Sequence, residues 1–117
     1  MTQGTSAEPR IVLVTAPDDG VARRLARGMV DARLAACVNL LPGAISVYRW
    51  QGEVHEEPEV LMLIKTTDER LSELVDFVER EHPYELPEFV VLDPEAIEHG
   101  YREWLLSECS ESGADEA

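Results

Sequence analysis

Residues 36–52 read Ala36-Cys37-Val38-Asn39-Leu40-Leu41-Pro42-Gly43-Ala44-Ile45-Ser46-Val47-Tyr48-Arg49-Trp50-Gln51-Gly52. The run from Ala36 to Trp50 reads as extended, with Pro42-Gly43 as an internal bulge or kink. Gln51-Gly52 is the hairpin turn, and Glu53 to Glu57 returns. Fifteen extended residues at about 3.3 Å each span on the order of 50 Å. A compact chain of this length has a radius of gyration near 13 Å, hence a diameter of roughly 35 Å. The hairpin therefore projects unless it kinks sharply. A long exposed edge is an aggregation hazard, so the expectation is that it pairs with neighbouring subunits. Its tip carries Tyr48, Arg49 and Trp50, residue types enriched at interfaces.

Working outward, Ile11-Val12-Leu13-Val14-Thr15 is a β-branched run suited to a central strand. Ala16-Pro17-Asp18-Asp19 breaks it and supplies N-cap chemistry. Val21, Leu25 and Met29 recur at helical spacing with Arg23, Arg24 and Arg27 opposite, which predicts an amphipathic helix to about Arg33. Beyond the hairpin, Val60-Leu61-Met62-Leu63-Ile64 is a second wholly apolar run. Thr66 or Thr67 is expected to cap the next helix, Thr66 with Glu69 fitting a capping box. Leu71, Leu74, Val75 and Val78 mark that helix's core stripe. A two-proline loop, His82 to Pro87, leads to the strand Phe89-Val90-Val91-Leu92. Ile97, Tyr101, Trp104 and Leu105 share one face of a final short helix.

The order is β-α-β-β-α-β plus a C-terminal helix. This predicts an α+β fold of the ferredoxin-like split type, a mixed sheet with two helices on one face. The other face also needs cover, because Val12, Val14, Leu61 and Leu63 lie in runs with apolar residues pointing both ways. Residues 1–9 read as a flexible leader, 10–109 as a single domain and 110–117 as an acidic tail.

The chain has 117 residues, 24 acidic and 10 basic side chains, and a formal net charge of −14. Residues 1–50 carry six arginines and four acids, whereas 51–117 carry four basic and twenty acidic groups. That balance argues against a nucleic-acid backbone and against anionic membrane surfaces, both of which need clustered Lys and Arg. No stretch approaches the roughly 20 apolar residues of a membrane span, and Met1 to Arg10 lacks a secretory apolar core. Two cysteines, Cys37 and Cys109, are too few for a disulfide framework. The expectation is a cytosolic protein with reduced thiols.

Taken singly, the chemistry-bearing residues are modest. No CxxC, HxxxH or HExxH spacing occurs. Cys37 in an apolar strand packs as a small hydrophobe. His82 follows a helix and can cap its last carbonyls. His55 and Glu57 alternate onto one face of the hairpin as a weak surface pair. Lys65, the only lysine, ends a buried strand and needs a carboxylate such as Glu88 or Glu59, or an anionic ligand. The serines lack a nucleophile context and the glycines form no phosphate cradle, so a non-enzyme is expected.

These segments together resemble the CutA family of divalent-cation tolerance proteins. The resemblance rests on Val14-Thr15-Ala16-Pro17-Asp18, Arg33-Leu34-Ala35-Ala36-Cys37-Val38-Asn39, Leu41-Pro42-Gly43 and Tyr48-Arg49-Trp50-Gln51-Gly52. It continues through Ile64-Lys65-Thr66-Thr67, His82-Pro83-Tyr84-Glu85-Leu86-Pro87-Glu88 and Tyr101-Arg102-Glu103-Trp104-Leu105. It implies a ferredoxin-like protomer in a homotrimer, similar in architecture to PII-like signalling trimers, and a role in tolerance of copper and other divalent metals. It makes Cys37 and His82 the metal-ligand candidates, with no obligatory cofactor. It also implies an intersubunit cleft walled by Trp50, Tyr84, Tyr101 and Trp104, with Lys65 and Glu88 as its charged groups. The alternatives are a sensor of a small anionic metabolite at that cleft, and a trimeric interaction scaffold.

Overall fold

The structure is a computed structural model and describes residues 7–111. The leader and tail read from the sequence lie mostly outside that range. Glu8, at the leader's end, donates its backbone N–H to Asp68, and Pro9 already begins the first strand.

β1 (Pro9–Ala16), α1 (Asp19–Asp31), β2 (Cys37–Trp50) and β3 (Glu53–Thr67) come first. A 3-10 turn (Asp68–Arg70), α2 (Leu71–Glu81), β4 (Val90–Leu92) and α3 (His99–Cys109) follow. The four strands form one sheet in the order β2-β3-β1-β4. Every neighbouring pair is antiparallel, not mixed as expected. The reason is topological: β1 and β2 run the same way, but the hairpin's return strand β3 lies between them.

Asp18 caps α1, its side chain accepting from the Val21 N–H at 2.9 Å. The helix stops at Asp31, short of Arg33, because Arg33 takes the left-handed conformation with φ 61°. Arg33 N–H then bonds Val30 O and Leu34 N–H bonds Met29 O, a Schellman closure with arginine where glycine is usual. Side chains support this strained turn. Arg70 Nε donates to Arg33 O at 3.2 Å, and Arg33 Nη1 donates to Glu108 O at 2.9 Å.

One sheet face packs on α1 and α2. Val12, Val14, Leu25, Met29, Met62, Ile64, Leu74 and Val78 are all fully buried there, each contributing about 1.5–3 kcal/mol. The helices approach closely at Gly28, where an added Cβ would sit 2.8 Å from Phe77 Cζ. On the opposite face Ile11, Leu13, Leu61 and Leu63 are only half-buried, and Val90 and Leu92 are exposed. The cover expected there is incomplete within one chain.

The capping box at Thr66 does not form. β3 continues through Thr67, which pairs with Pro9. Thr66 is buried and its hydroxyl donates to Leu34 O at 2.7 Å, tying down the α1–β2 connection instead. The face expected of the last helix also differs. Leu105 and Cys109 are its buried residues, while Tyr101 and Trp104 are exposed. Burial pushes the Cys109 thiol up to about 11.

The hairpin is as long as its sequence requires. β2 and β3 stay paired from Cys37–Lys65 to Trp50–Glu53, with a register shift between Leu41 and Ala44. Gly43 sits in that shift with φ 90°, which favours glycine. Gln51 and Gly52 both have positive φ, the requirement of a two-residue type I′ turn. The arm extends the molecule to 52 × 27 × 22 Å.

Candidate functional site

A cleft of about 590 Å³ runs along one face of the arm beside the loop after α2. Its walls are built by alternation. Ser46, Tyr48 and Trp50 share one face of β2, and their cross-strand partners Glu57, His55 and Glu53 share it too. Glu59 continues that face toward the sheet, where Thr15 also lines the cleft. The loop supplies Tyr84, Glu85, Leu86, Pro87 and Glu88. Four glutamates thus surround the space, and among the described residues no lysine or arginine lines it.

Two phenols meet two of these carboxylates. Tyr84 Oη donates to Glu59 Oε2 at 2.7 Å, and Tyr48 Oη donates to Glu57 Oε1 at 2.9 Å. The Tyr48 ring also stacks on His55, centroids 5.4 Å apart. Burial first, then the bond to Glu59, pushes the Tyr84 phenol far above its ordinary value. The Glu57 bond also raises the Tyr48 phenol. Burial, with Glu59 nearby, raises Glu88. All these shifts are upward, as in a site that resists further negative charge and accepts a positive one.

His82 shapes the loop rather than the cleft wall. It is buried. Its Nε2 lies 2.8 Å from Thr15 O, and its Nδ1 is 3.1 Å from the Tyr84 backbone N–H. A carbonyl only accepts and an amide N–H only donates, so Nε2 carries the proton and Nδ1 accepts. Both nitrogens are occupied, which leaves no lone pair for a metal. The side chain clasps the end of β1 rather than capping helix carbonyls as expected.

Cys37 lies elsewhere. It pairs with Lys65, whereas Thr15, bonded to His82, pairs with Leu61. Leu61 and Lys65 are four residues apart on β3, about 13 Å, so Cys37 and His82 do not converge in one protomer. Lys65 takes neither expected carboxylate. Its Nζ donates to Asn39 Oδ1 and lies 3.9 Å from Cys37 Sγ, while Glu59 holds Tyr84. Of the expected cleft residues, Trp50, Tyr84 and Glu88 are brought together. Tyr101 and Trp104 pack on each other on α3, centroids 5.4 Å apart, outside this cleft. Among the described residues no group of three His, Cys, Asp or Glu is placed to hold a metal ion.

The arm has a second face that hydropathy along the sequence does not single out. Ile45, Val47 and Val54 are each 61% exposed and share it with Arg49, which therefore points away from Tyr48 and Trp50. The two-residue turn was the available signal: it sets the cross-strand register, and with it both faces.

Residues 10–108 match the family described as CutA1 divalent ion tolerance protein. The chain is 47% identical over 95 residues to the divalent-cation tolerance protein CutA of Thermus thermophilus, covering 81% of this chain and 92% of that one. It is 46% identical over 92 residues to the human protein CutA, covering 79% of this chain and 51% of that one. Two solved structures superpose closely. The Thermus thermophilus protein gives a TM-score of 0.81 at 46% identity, covering 83% of this chain and 94% of that one. CutA1 from Oryza sativa gives 0.85 at 38% identity, covering 91% and 98%.

Proposed function

This chain belongs to the CutA1 divalent ion tolerance family, and from that premise we propose that it works as a homotrimer whose glutamate-lined clefts meet divalent cations, copper among them. Its role is divalent-cation tolerance. The observation that carries the cation site is the lining itself: Glu57, Glu59, Glu85 and Glu88, with no basic side chain between them among the described residues. Such walls concentrate cations and repel an anionic metabolite. The role is binding, not catalysis.

The strand order β2-β3-β1-β4 with helices on one face supports a ferredoxin-like protomer. Trimer assembly is supported by two apolar surfaces left open in one chain, the half-covered sheet face and the Ile45, Val47 and Val54 face of the arm. Arg49, on that same face near the tip, extends the contact. Assembly is also where Cys37, half-buried at the start of β2, gains the further ligands copper needs. The free thiols of Cys37 and Cys109 suit a reducing cytosol.

Calorimetric titration of reduced protein with copper(II) and zinc tests the site. Glu57→Gln with Glu59→Gln is expected to remove most of the binding heat, and Cys37→Ala to affect copper more than zinc. Undiminished binding in the double glutamine variant overturns the assignment to the cleft.

A further inference from the structure

We propose that the same cleft takes a small organic cation, an alkyl ammonium or diamine, in preference to a bare metal ion. The inference rests on the reading of this cleft as a cation site, and on four observations beyond its acidity.

The first is Glu59. It is 8% exposed, lines the cleft, and has one partner, the neutral Tyr84 hydroxyl on Oε2. Its Oε1 has neither a hydrogen-bond nor an ion-pair partner among the described residues. A buried carboxylate is ordinarily matched by a cation, and the described residues supply none here. The second is the spacing of the acids. Among the described residues no three ligating side chains converge on a point, so a divalent ion in the cleft keeps much of its water shell and is held weakly.

The third is the aromatic wall. Tyr48, Trp50 and Tyr84 line the cleft together with Leu86 and Pro87. A hydrated metal ion has no use for those rings. An alkyl ammonium does: its charge sits over a ring face and its methylenes displace water from apolar surface. The fourth is size. A volume of about 590 Å³ exceeds what one ion occupies and falls in the range of small-molecule sites. In the complex inferred, one ammonium donates to Glu59 Oε1, the stem lies on the rings, and a second ammonium faces Glu88 or Glu85 at the mouth. Glu88, raised by burial and by Glu59, gains from that neutralisation.

The test is calorimetry on the full chain with 1,4-diaminobutane, at constant ionic strength. The neutral 1,4-butanediol and magnesium chloride are the controls. Saturable binding of the diamine at one per chain is expected, with no heat from the diol and weaker binding of magnesium. Glu59→Gln is expected to weaken the diamine about tenfold or more. Trp50→Leu, which keeps an apolar wall but removes the indole face, is expected to weaken it about fivefold. Because Trp50 lies on the arm, outside the buried core, that variant holds the question open should Glu59→Gln fold poorly. Equal binding of magnesium and diamine, or a diamine isotherm unchanged in both variants, overturns the proposal. Diamine binding without copper binding would defeat only the metal assignment, and copper binding without diamine binding would defeat only this one.

Discussion

The two ends of the hairpin are made of similar residues and do opposite things. Near the sheet, Met62 and Ile64 are wholly buried, while along the arm Ile45, Val47 and Val54 are 61% exposed. The near end has two helices to cover it. The far end outruns the other described elements, so its apolar side chains meet only their cross-strand neighbours and stay mostly exposed. The contrast separates what folds the chain from what the chain offers outward. Core residues hold the base, and the arm presents an apolar face to one side and carboxylates to the other.

The largest expected effect tests the base. Met62→Ala should cost about 2–5 kcal/mol, as a cavity in a packed core does, measured by urea unfolding. Val47→Asp should leave the protomer's secondary structure unchanged in circular dichroism and abolish only the proposed self-association. If Val47→Asp unfolded an isolated protomer, the arm would belong to the core and the contrast would fail.

Next in size is the clasp between β1 and the loop after α2. His82→Ala strands the Thr15 carbonyl and the Tyr84 amide, at an expected cost of about 2–3 kcal/mol in a thermal melt. A loss below about 0.5 kcal/mol would mean that the loop holds its shape without His82. Tyr84→Phe should cost about 1–2 kcal/mol by leaving Glu59 Oε2 bare. In a double-mutant cycle with Glu59→Gln the two losses should not add.

The smallest effect concerns pH. Glu88 is raised above the ordinary carboxylate value, so its folded state holds the proton more tightly than its unfolded state. The stability it contributes is full below the unfolded value and is lost as pH rises through the folded one. Glu88→Gln keeps that contribution at every pH. Its melting point should therefore lie slightly above wild type at pH 7, with the gap closing as pH falls to 4. A wild type more stable than Glu88→Gln at pH 7 would contradict the raised value.

The legible parts of the fold were those decided locally. Asp18 caps its own helix, Gly43 marks the register shift and Gln51-Gly52 turns the hairpin, each through backbone preferences a short window displays. Thr66 misled because its window fits a capping box, whereas pairing with Arg10 and a bond to Leu34 O decide its role. The last helix misled for a related reason. Spacing groups Tyr101 with Trp104 and Leu105, but only docking decides which flank meets the sheet, and Leu105 with Cys109 won. The cleft was half legible. Trp50, Tyr84 and Glu88 were named on resemblance, while Ser46, Glu85 and Thr15 come from three distant segments joined only by topology. Lys65 found Asn39 rather than a glutamate because cross-strand register, not charge, places its neighbours.

The claim that the arm is built for other copies of the chain is tested most directly by sedimentation equilibrium of the full-length protein at micromolar concentration. Three times the 13.1 kDa chain mass is expected, falling to one chain mass in Val47→Asp. A wild-type protein sedimenting as a single 13.1 kDa chain would contradict it.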